Sequence, residues 1–475
     1  MSSADYQNFP LLDESGAVML RFLREHPNAP RYTHVGCDRL SAAGLERVRA
    51  YEAELLAPAG GRPPVVHAEV HEAGSLAPAG GRQQELPDWL HEFAAGCFQA
   101  VPFYRAYGAL TLPVPAAFFD IPACNRDDLQ AEPWAFVPDA QPLDDLVIYQ
   151  TSGTTGHPLD ILTHPEPLAM YLPLLRAALA TRGVLLDAGA NRVAIVCVCF
   201  QRSTWTYAAV LPALAQAGYA KINLNLAGWR APSDREAFLD ACDAQLYTGD
   251  PLSFIELSRL PLRTRPRALV STAMALSPSL QRSLEERFGC PVFDLYSTNE
   301  TGPIAVGGDG TFKLLQPRLY VEILDAEGNV CSPGTRGEVT VSGGFNPFLP
   351  LLRYRTGDYA RLAFQGSEPV LVGLEGRPPV VFEGAAGQAI NNIDVSNALK
   401  PFGLAQYALH QFRDGSLRLR VRAGHIDLSQ TNSAGLVGVR AALLALFGAA
   451  QPLSIDALDA IASTGDKLVQ YTRDT

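Results

Sequence analysis

The stretch Tyr149-Gln150-Thr151-Ser152-Gly153-Thr154-Thr155-Gly156-His157-Pro158 interleaves two hydroxyl pairs with two glycines, directly after the apolar run 146–149. Glycines allow positive φ and let backbone N–H groups approach an anion, while short hydroxyls add neutral donors to phosphate oxygens. The composition is that of a phosphate cradle, although an ordinary Ser/Thr/Gly turn has the same ingredients. Three further segments complement it. In Asp294-Leu295-Tyr296-Ser297-Thr298-Asn299-Glu300-Thr301-Gly302-Pro303, Glu300 follows a strand-like run. Its carboxylate suits a divalent cation, because Mg²⁺ usually takes one or two carboxylates together with phosphate oxygens. In Leu352-Arg353-Tyr354-Arg355-Thr356-Gly357-Asp358, the two oxygens of Asp358 suit the paired hydroxyls of a ribose. Near the C-terminal end, Lys467 sits on a small-residue turn within 463–473 and offers a cation to a developing charge. Taken singly, these segments also read as a surface turn, a capping carboxylate and a frayed tail.

The elements that must position these residues follow from pattern and composition. At 475 residues the chain exceeds one core, and 47% apolar against 18% charged residues marks it as globular. A net charge of -11 argues against a nucleic-acid surface. No run of eighteen apolar residues and no basic-then-apolar leader is present, so the expectation is a soluble, cytoplasmic protein with no membrane partner. The eight cysteines are scattered, mostly in apolar segments, and are expected to be reduced and buried. Alternation places Cys197 and Cys199 on one face of a strand, without a zinc pattern around them.

Residues 1–84 stand apart as an N-terminal extension of unknown role, with amphipathic helical pieces at 17–26 and 42–55 and a seven-residue duplication at 56–62 and 76–82. Over 85–375 a large domain is expected. Helices are read at 87–100, 167–181, 204–217, 233–244, 251–257 and 277–288, with a helix start at Asn125. Strands are read at 192–200, 220–224, 245–248, 268–271 and 292–296. This alternation predicts an α/β fold with a mostly parallel sheet flanked by helices, whose ligands lie at the strands' carboxyl ends. Short strands past Gly302 predict a β-rich subdomain, and 376–475 a small, mobile α+β domain carrying Lys467.

In order and spacing these segments resemble the adenylate-forming (acyl-CoA synthetase-like) superfamily, and within it the phenylacetate-CoA ligase-like branch, over residues 85–475. The entry segments 101–105 and 121–129 match that branch as well. The resemblance implies ATP-dependent activation of a small, most simply aromatic, carboxylic acid as acyl-adenylate, with release of pyrophosphate and then transfer to a thiol, normally that of coenzyme A. It implies Thr151, Ser152, Gly153, Thr154, Thr155 and Gly156 around the β- and γ-phosphates, and Glu300 on Mg²⁺. Tyr296, Ser297 and Asn299 would lie in the adenine segment, with Tyr296 stacked on the base and Asp358 on the ribose. Lys467 would be the adenylation lysine, and Arg377, after Gly376, would touch the nucleotide or reset the hinge. Tyr149, Phe200, Trp205, Tyr207, Ala273 and Met274 would line the acyl pocket, although Trp205 and Tyr207 read equally as core residues. A carrier-protein or amine acceptor, a non-catalytic nucleotide-binding relative, and a homodimer are compatible alternatives.

Several positions depart from the branch. His157 replaces a customary lysine, and a neutral imidazole offers no permanent charge. Asn299 replaces Ser or Thr, and 272–274 lack the acidic residue often found there. Pro379 occupies the hinge position where Asp or Lys is expected, and proline restricts the rotation that exchanges the two half-reactions. No aspartate lies in 200–207 to pair an α-ammonium group, which disfavours an α-amino acid substrate.

Overall fold

A computed structural model describes residues 3–56, 86–108, 118–150, 159–187, 193–200, 204–308, 310–376, 381–391, 395, 398–402, 404–423, 434–457 and 471–474. The phosphate-loop residues Thr151 to Pro158, hinge residues Arg377 and Pro379, and Lys467 lie outside these, as do both seven-residue repeats apart from Leu56.

Twelve strands form one sheet. In chain order the strands of the molecule are β1 (Val147–Gln150), β2 (Asp160–Thr163), β3 (Val193–Cys199), β4 (Tyr207–Leu211), β5 (Ala217–Asn223), β6 (Leu246–Gly249), β7 (Ala268–Ser271) and β8 (Val292–Thr298). Next come β9 (Gly302–Gly308), β10 (Thr311–Leu314), β11 (Leu319–Leu324), β12 (Arg336–Gly343), β13 (Leu351–Gln365) and β14 (Glu368–Gly376). The large sheet runs β11-β12-β13-β14-β10-β9-β8-β7-β6-β3-β5-β4. Its central strands β8-β7-β6-β3-β5 are parallel to their neighbours within that group, as the alternation predicted. The β-rich part does not form a separate sheet: β9 turns back antiparallel on β8 and carries the sheet on through β10 to β14. Thus one continuous surface joins Glu300 to Asp358.

The helices are α1 (Ser3–Asn8), α2 (Glu14–Glu25), α3 (Ala42–Leu56), α4 (Asp88–Ala100), α5 (Pro102–Arg105), α6 (Arg126–Ala131), α7 (Pro165–Ala169), α8 (Tyr171–Ala180), α9 (Asp234–Cys242), α10 (Pro251–Ser258), α11 (Pro278–Phe288) and α12 (Ala434–Phe447). Helices cover both faces of the parallel strands. On one face Leu20 and Leu23 of α2, Phe238, Phe254 and Leu284 pack on Val196, Val198 and Ile222. On the other, Val48 of α3 and Leu174, Leu175 and Leu179 of α8 pack on Ile195, Leu246, Val270 and Phe293. Full burial of each such side chain is worth about 1.5–3 kcal/mol. Residues before Leu56 therefore contribute to both cores. The segment after α2 also runs beside β4, with Thr33 and His34 N–H donating to the Thr206 carbonyl at 3.2 and 3.0 Å, which caps part of an exposed sheet edge.

The expected helix over 204–217 is corrected to strand β4, paired antiparallel with β5. The joining turn places Ala215 and Gln216 at φ 47° and 61°. Hairpin turns with positive φ normally announce themselves as Asn-Gly or Asp-Gly, and alanine here reads as helix until the edge pairing overrides it.

At the C-terminal end, β17 (Leu404–Gln411), β18 (Leu417–Ala423), β19 (Leu453–Ala457) and β20 (Tyr471–Arg473) make a four-stranded sheet with order β19-β18-β17-β20. Val439, Leu443 and Phe447 of α12 share its core with Phe382, which lies on β15 (Val381–Glu383), paired with β16 (Ala389–Asn391). No helix among the described residues is long and apolar enough to cross a membrane.

Candidate active site

A tight turn after β8 and a bulge within β13 bring the carboxylates together. β8 ends at Ser297-Thr298, and the Thr298 hydroxyl accepts the Thr301 N–H at 3.2 Å before the chain returns as β9. Gly302, at φ 73°, makes that return in a region which side-chain-bearing residues rarely adopt. In β13, Gly357 at φ 78° donates its N–H to Glu338 Oε1 at 3.0 Å. The Thr356 hydroxyl donates to the Val339 carbonyl at 2.9 Å and accepts the Asp358 N–H at 3.2 Å. The Thr-Gly-Asp bulge is thereby fastened to β12.

Tyr296 links the turn to this part of β13. Its hydroxyl donates to Asp358 Oδ2 at 2.9 Å and lies 3.3 Å from Thr356 Oγ1. Its ring is only 8% exposed. Burial, and then the Asp358 charge, push the phenol far above its ordinary range, so it remains a donor that orients the carboxylate. The structure thus gives Tyr296 a hydrogen-bonding job that the sequence did not reveal, beside the base-stacking role expected of it.

Glu300 is buried at the same turn. Tyr354 donates to its Oε1 at 3.0 Å, and Arg126 Nη1 stands 4.0 Å from that oxygen. Arg126 opens α6, whose start is set by a reciprocal cap: Asn125 Oδ1 accepts from Asp127 and Asp128 N–H, and Asp128 returns a bond to the Asn125 N–H. Tyr149 reaches over from β1, donating its hydroxyl to the Asn299 carbonyl at 2.7 Å. Tyr149, Tyr296, Asn299, Glu300 and Asp358 therefore converge, joined by Arg126 and Tyr354, which the sequence had not singled out. Their only sequence signals were position: Tyr354 lies within the ribose segment, and Arg126 follows the cap residue.

The arginines of the ribose segment hold it in place. Arg353 is buried against Glu322, with Nε to Oε1 at 3.0 Å, and it donates to the Phe119, Ile121 and Gly328 carbonyls at 2.5, 2.8 and 3.2 Å. Arg355 pairs with Glu338 at 2.6 Å.

The remaining expected residues divide. Ala273 and Met274 follow β7 at the carboxyl end of the parallel strands, with Ala273 at φ 67°; an L residue held there costs about 1–2 kcal/mol, and such strain concentrates at functional turns. Tyr207 is half-buried on β4. Phe200 turns to the opposite core. Trp205 is not among the converging residues: it is 61% exposed and stacks on His34 with centroids 4.4 Å apart. A cavity of about 500 Å³ lined by Asp5, Arg24, Tyr32 and His34 contains none of the predicted residues. Among the described residues there is no group of three His, Cys, Asp or Glu side chains suited to a metal. Glu300 alone fits Mg²⁺ only in company with phosphate oxygens, the usual arrangement for that ion.

The sheet topology is that of an α/β fold, with this carboxylate–tyrosine constellation at the end of β8. The AMP-binding enzyme family model matches residues 244–346, the stretch holding Ala273, Met274, Tyr296 and Glu300. Among characterised proteins, phenylacetate-coenzyme A ligase of Pseudomonas putida is 29% identical over 168 residues, covering 32% of this chain and 38% of that protein. Protein CapK of Staphylococcus aureus is 25% identical over 153 residues, covering 31% and 32%. The matched stretches thus span 38% and 32% of these relatives' lengths. A crystal structure of 2-hydroxyisobutyryl-CoA ligase, in the postadenylation state with R3-HIB-AMP, shares the fold at TM-score 0.60, 18% identity, and 81% and 88% coverage of the two chains. The chain thus shares the fold of that ligase and, over residues 244–346, the sequence pattern of the AMP-binding enzyme family.

Proposed function

We propose that this protein is an AMP-forming carboxylate ligase of the phenylacetate-CoA ligase-like branch. The carboxylate oxygen of a small acid attacks the α-phosphorus of ATP, pyrophosphate leaves, and the mixed anhydride then passes its acyl group to a thiol with release of AMP. The supporting observation is the convergence of Tyr149, Tyr296, Asn299, Glu300 and Asp358 on one side of the β8–β9 turn.

The residues suit the chemistry. Asp358, oriented by Tyr296, is a fixed acceptor for paired ribose hydroxyls. Glu300 would hold Mg²⁺, which when bound neutralises charge on the phosphate oxygens. Tyr354 and Arg126 hold the Glu300 carboxylate in one orientation, which spares reorganisation as charge develops. For Thr151, Ser152, Thr154, Thr155 and the backbone of Gly153 and Gly156 we propose the phosphate-cradling role, for Lys467 contact with carboxylate and phosphate, and for Arg377 contact with the nucleotide. Coenzyme A is the proposed acceptor, and an aryl acid the proposed substrate. Mixing the protein with ATP, Mg²⁺ and a panel of aryl acids should release pyrophosphate in proportion to acid turned over. Absence of release across a broad panel rejects the proposal.

A further inference from the structure

The face of the sheet under α3 and α8 is apolar where the strands begin, with Ile195, Leu246, Val270 and Phe293. Toward the carboxyl ends it becomes polar. Strand register sets Tyr207, Lys221, Cys197 and Thr248 in one row across β4, β5, β3 and β6, and residues in register share a face. Tyr219, two residues before Lys221, stacks on Tyr207 with centroids 5.8 Å apart. Tyr171, first residue of α8, packs on this face with Ile195, Phe293 and Leu295. Along β8 the same face leads from Phe293 and Leu295 toward Ser297.

These side chains are only partly buried. Val196, Val198, Ile222 and Tyr247, their neighbours on the opposite face, are at most 1% exposed. Cys197, Lys221, Thr248, Tyr171 and Ser297 instead keep accessible surface, although β3, β5, β6 and β8 are interior strands covered by helices. This row is rich in donors. Lys221 is one of four lysines among the 38 basic residues, and among the described residues it makes no hydrogen bond or ion pair. Its charge bears on the neighbouring thiols Cys197 and Cys199: Cys197 is pushed down to about 6 by a hydrogen bond with Cys199 and by Lys221. An ammonium partly withdrawn from water needs a counter-charge, and an ammonium has three donors and no acceptor.

We propose that these side chains line the acid's pocket and that the acid carries a second anionic oxygen at its far end, received by Lys221, while its reacting carboxylate lies toward Tyr171 and Ser297. The assignment rests on the ligase reading above and narrows its substrate class from aryl acids in general to dianionic ones. Tyr207, Tyr219 and Thr248 supply hydroxyls beside the same oxygen. Bound to a neutral acid, Lys221 would face the Cys197 and Cys199 thiols and, among the described residues, no ion-pair partner.

The test compares benzene-1,4-dicarboxylate with 4-methylbenzoate, acids of similar size that differ in the distal charge. Binding is followed by calorimetry and turnover by pyrophosphate release, for the wild type and for Lys221→Met and Lys221→Arg. A series of shorter and longer dicarboxylates accompanies the pair, and thermal melting checks folding. The wild type and Lys221→Arg should bind a dianionic acid at least tenfold more tightly than its neutral-ended counterpart, and Lys221→Met should abolish or reverse that preference. Equal binding of the two kinds of acid, retention of the preference in Lys221→Met, or failure of every dianionic acid to bind overturns the assignment. A Lys221-dependent preference without pyrophosphate release leaves it standing and rejects the ligase reading instead.

Discussion

Replacing Arg353 by Met tests whether the ribose segment is held by a buried charge pair. Arg353 and Glu322 are 4% and 1% exposed at their side chains. The Arg353 backbone is part of the same joint, since its carbonyl accepts the Cys124 N–H at 3.2 Å and the Arg355 N–H donates to the Cys124 carbonyl at 2.8 Å. Removing the guanidinium leaves the Glu322 charge uncompensated and three backbone carbonyls without that donor, an expected loss of about 3–5 kcal/mol. Methionine at the same φ of 48° adds no new backbone strain. Burial already raises the Glu322 carboxyl, with Arg353 opposing the shift; without Arg353 the rise is larger. A raised carboxyl pKa means the folded form holds a proton that the unfolded chain releases, so stability falls as pH rises. Urea unfolding should therefore show a deficit in Arg353→Met that is smaller at pH 5 than at pH 8. The double variant Glu322→Gln/Arg353→Met should recover part of it, giving a coupling energy above about 1 kcal/mol. A loss under about 1 kcal/mol, or simple additivity, refutes the role given to the pair.

Two further outcomes follow from the geometry. Tyr296→Phe removes a hydrogen bond to a charged group, worth about 1.5–3 kcal/mol; ATP affinity measured by calorimetry should fall roughly tenfold or more while the melting temperature changes little, and unchanged affinity would show that Tyr296 does not position Asp358. Burial raises the Asp294 carboxyl to about 7, against the lowering effect of the Leu276 N–H. Its folded value thus lies above its unfolded one, so it contributes a stability loss growing from about pH 4 to pH 7, up to about 4 kcal/mol at roughly 1.4 kcal/mol per pH unit. Asp294→Asn should flatten that part of the pH–stability profile measured by urea unfolding, and an unchanged slope would rule out this carboxyl as its source.

The elements that position the site were legible where local chemistry declares itself: the Asn125 cap, the alternation of helices and strands, and the glycines at 302 and 357 that now prove to sit at positive φ. What stayed hidden depends on residues far apart in the chain. The Tyr296 bond to Asp358 spans 62 residues and the Tyr354 bond to Glu300 spans 54, and no local pattern encodes either. Lys221 lies in the strand read at 220–224, and only strand register sets it beside Cys197. β4 was misread because alanine favours helix locally, whereas pairing along the sheet edge decided the outcome.

Isotope transfer tests adenylation most directly. With an acid whose carboxylate is labelled with oxygen-18, and with ATP, Mg²⁺ and coenzyme A, attack on the α-phosphorus followed by thiol capture must leave one labelled oxygen in AMP. Mass spectrometry of the nucleotide should therefore show AMP heavier by one such atom for each acyl group transferred. Unlabelled AMP, or label found in inorganic phosphate with ADP as the nucleotide product, would contradict the account.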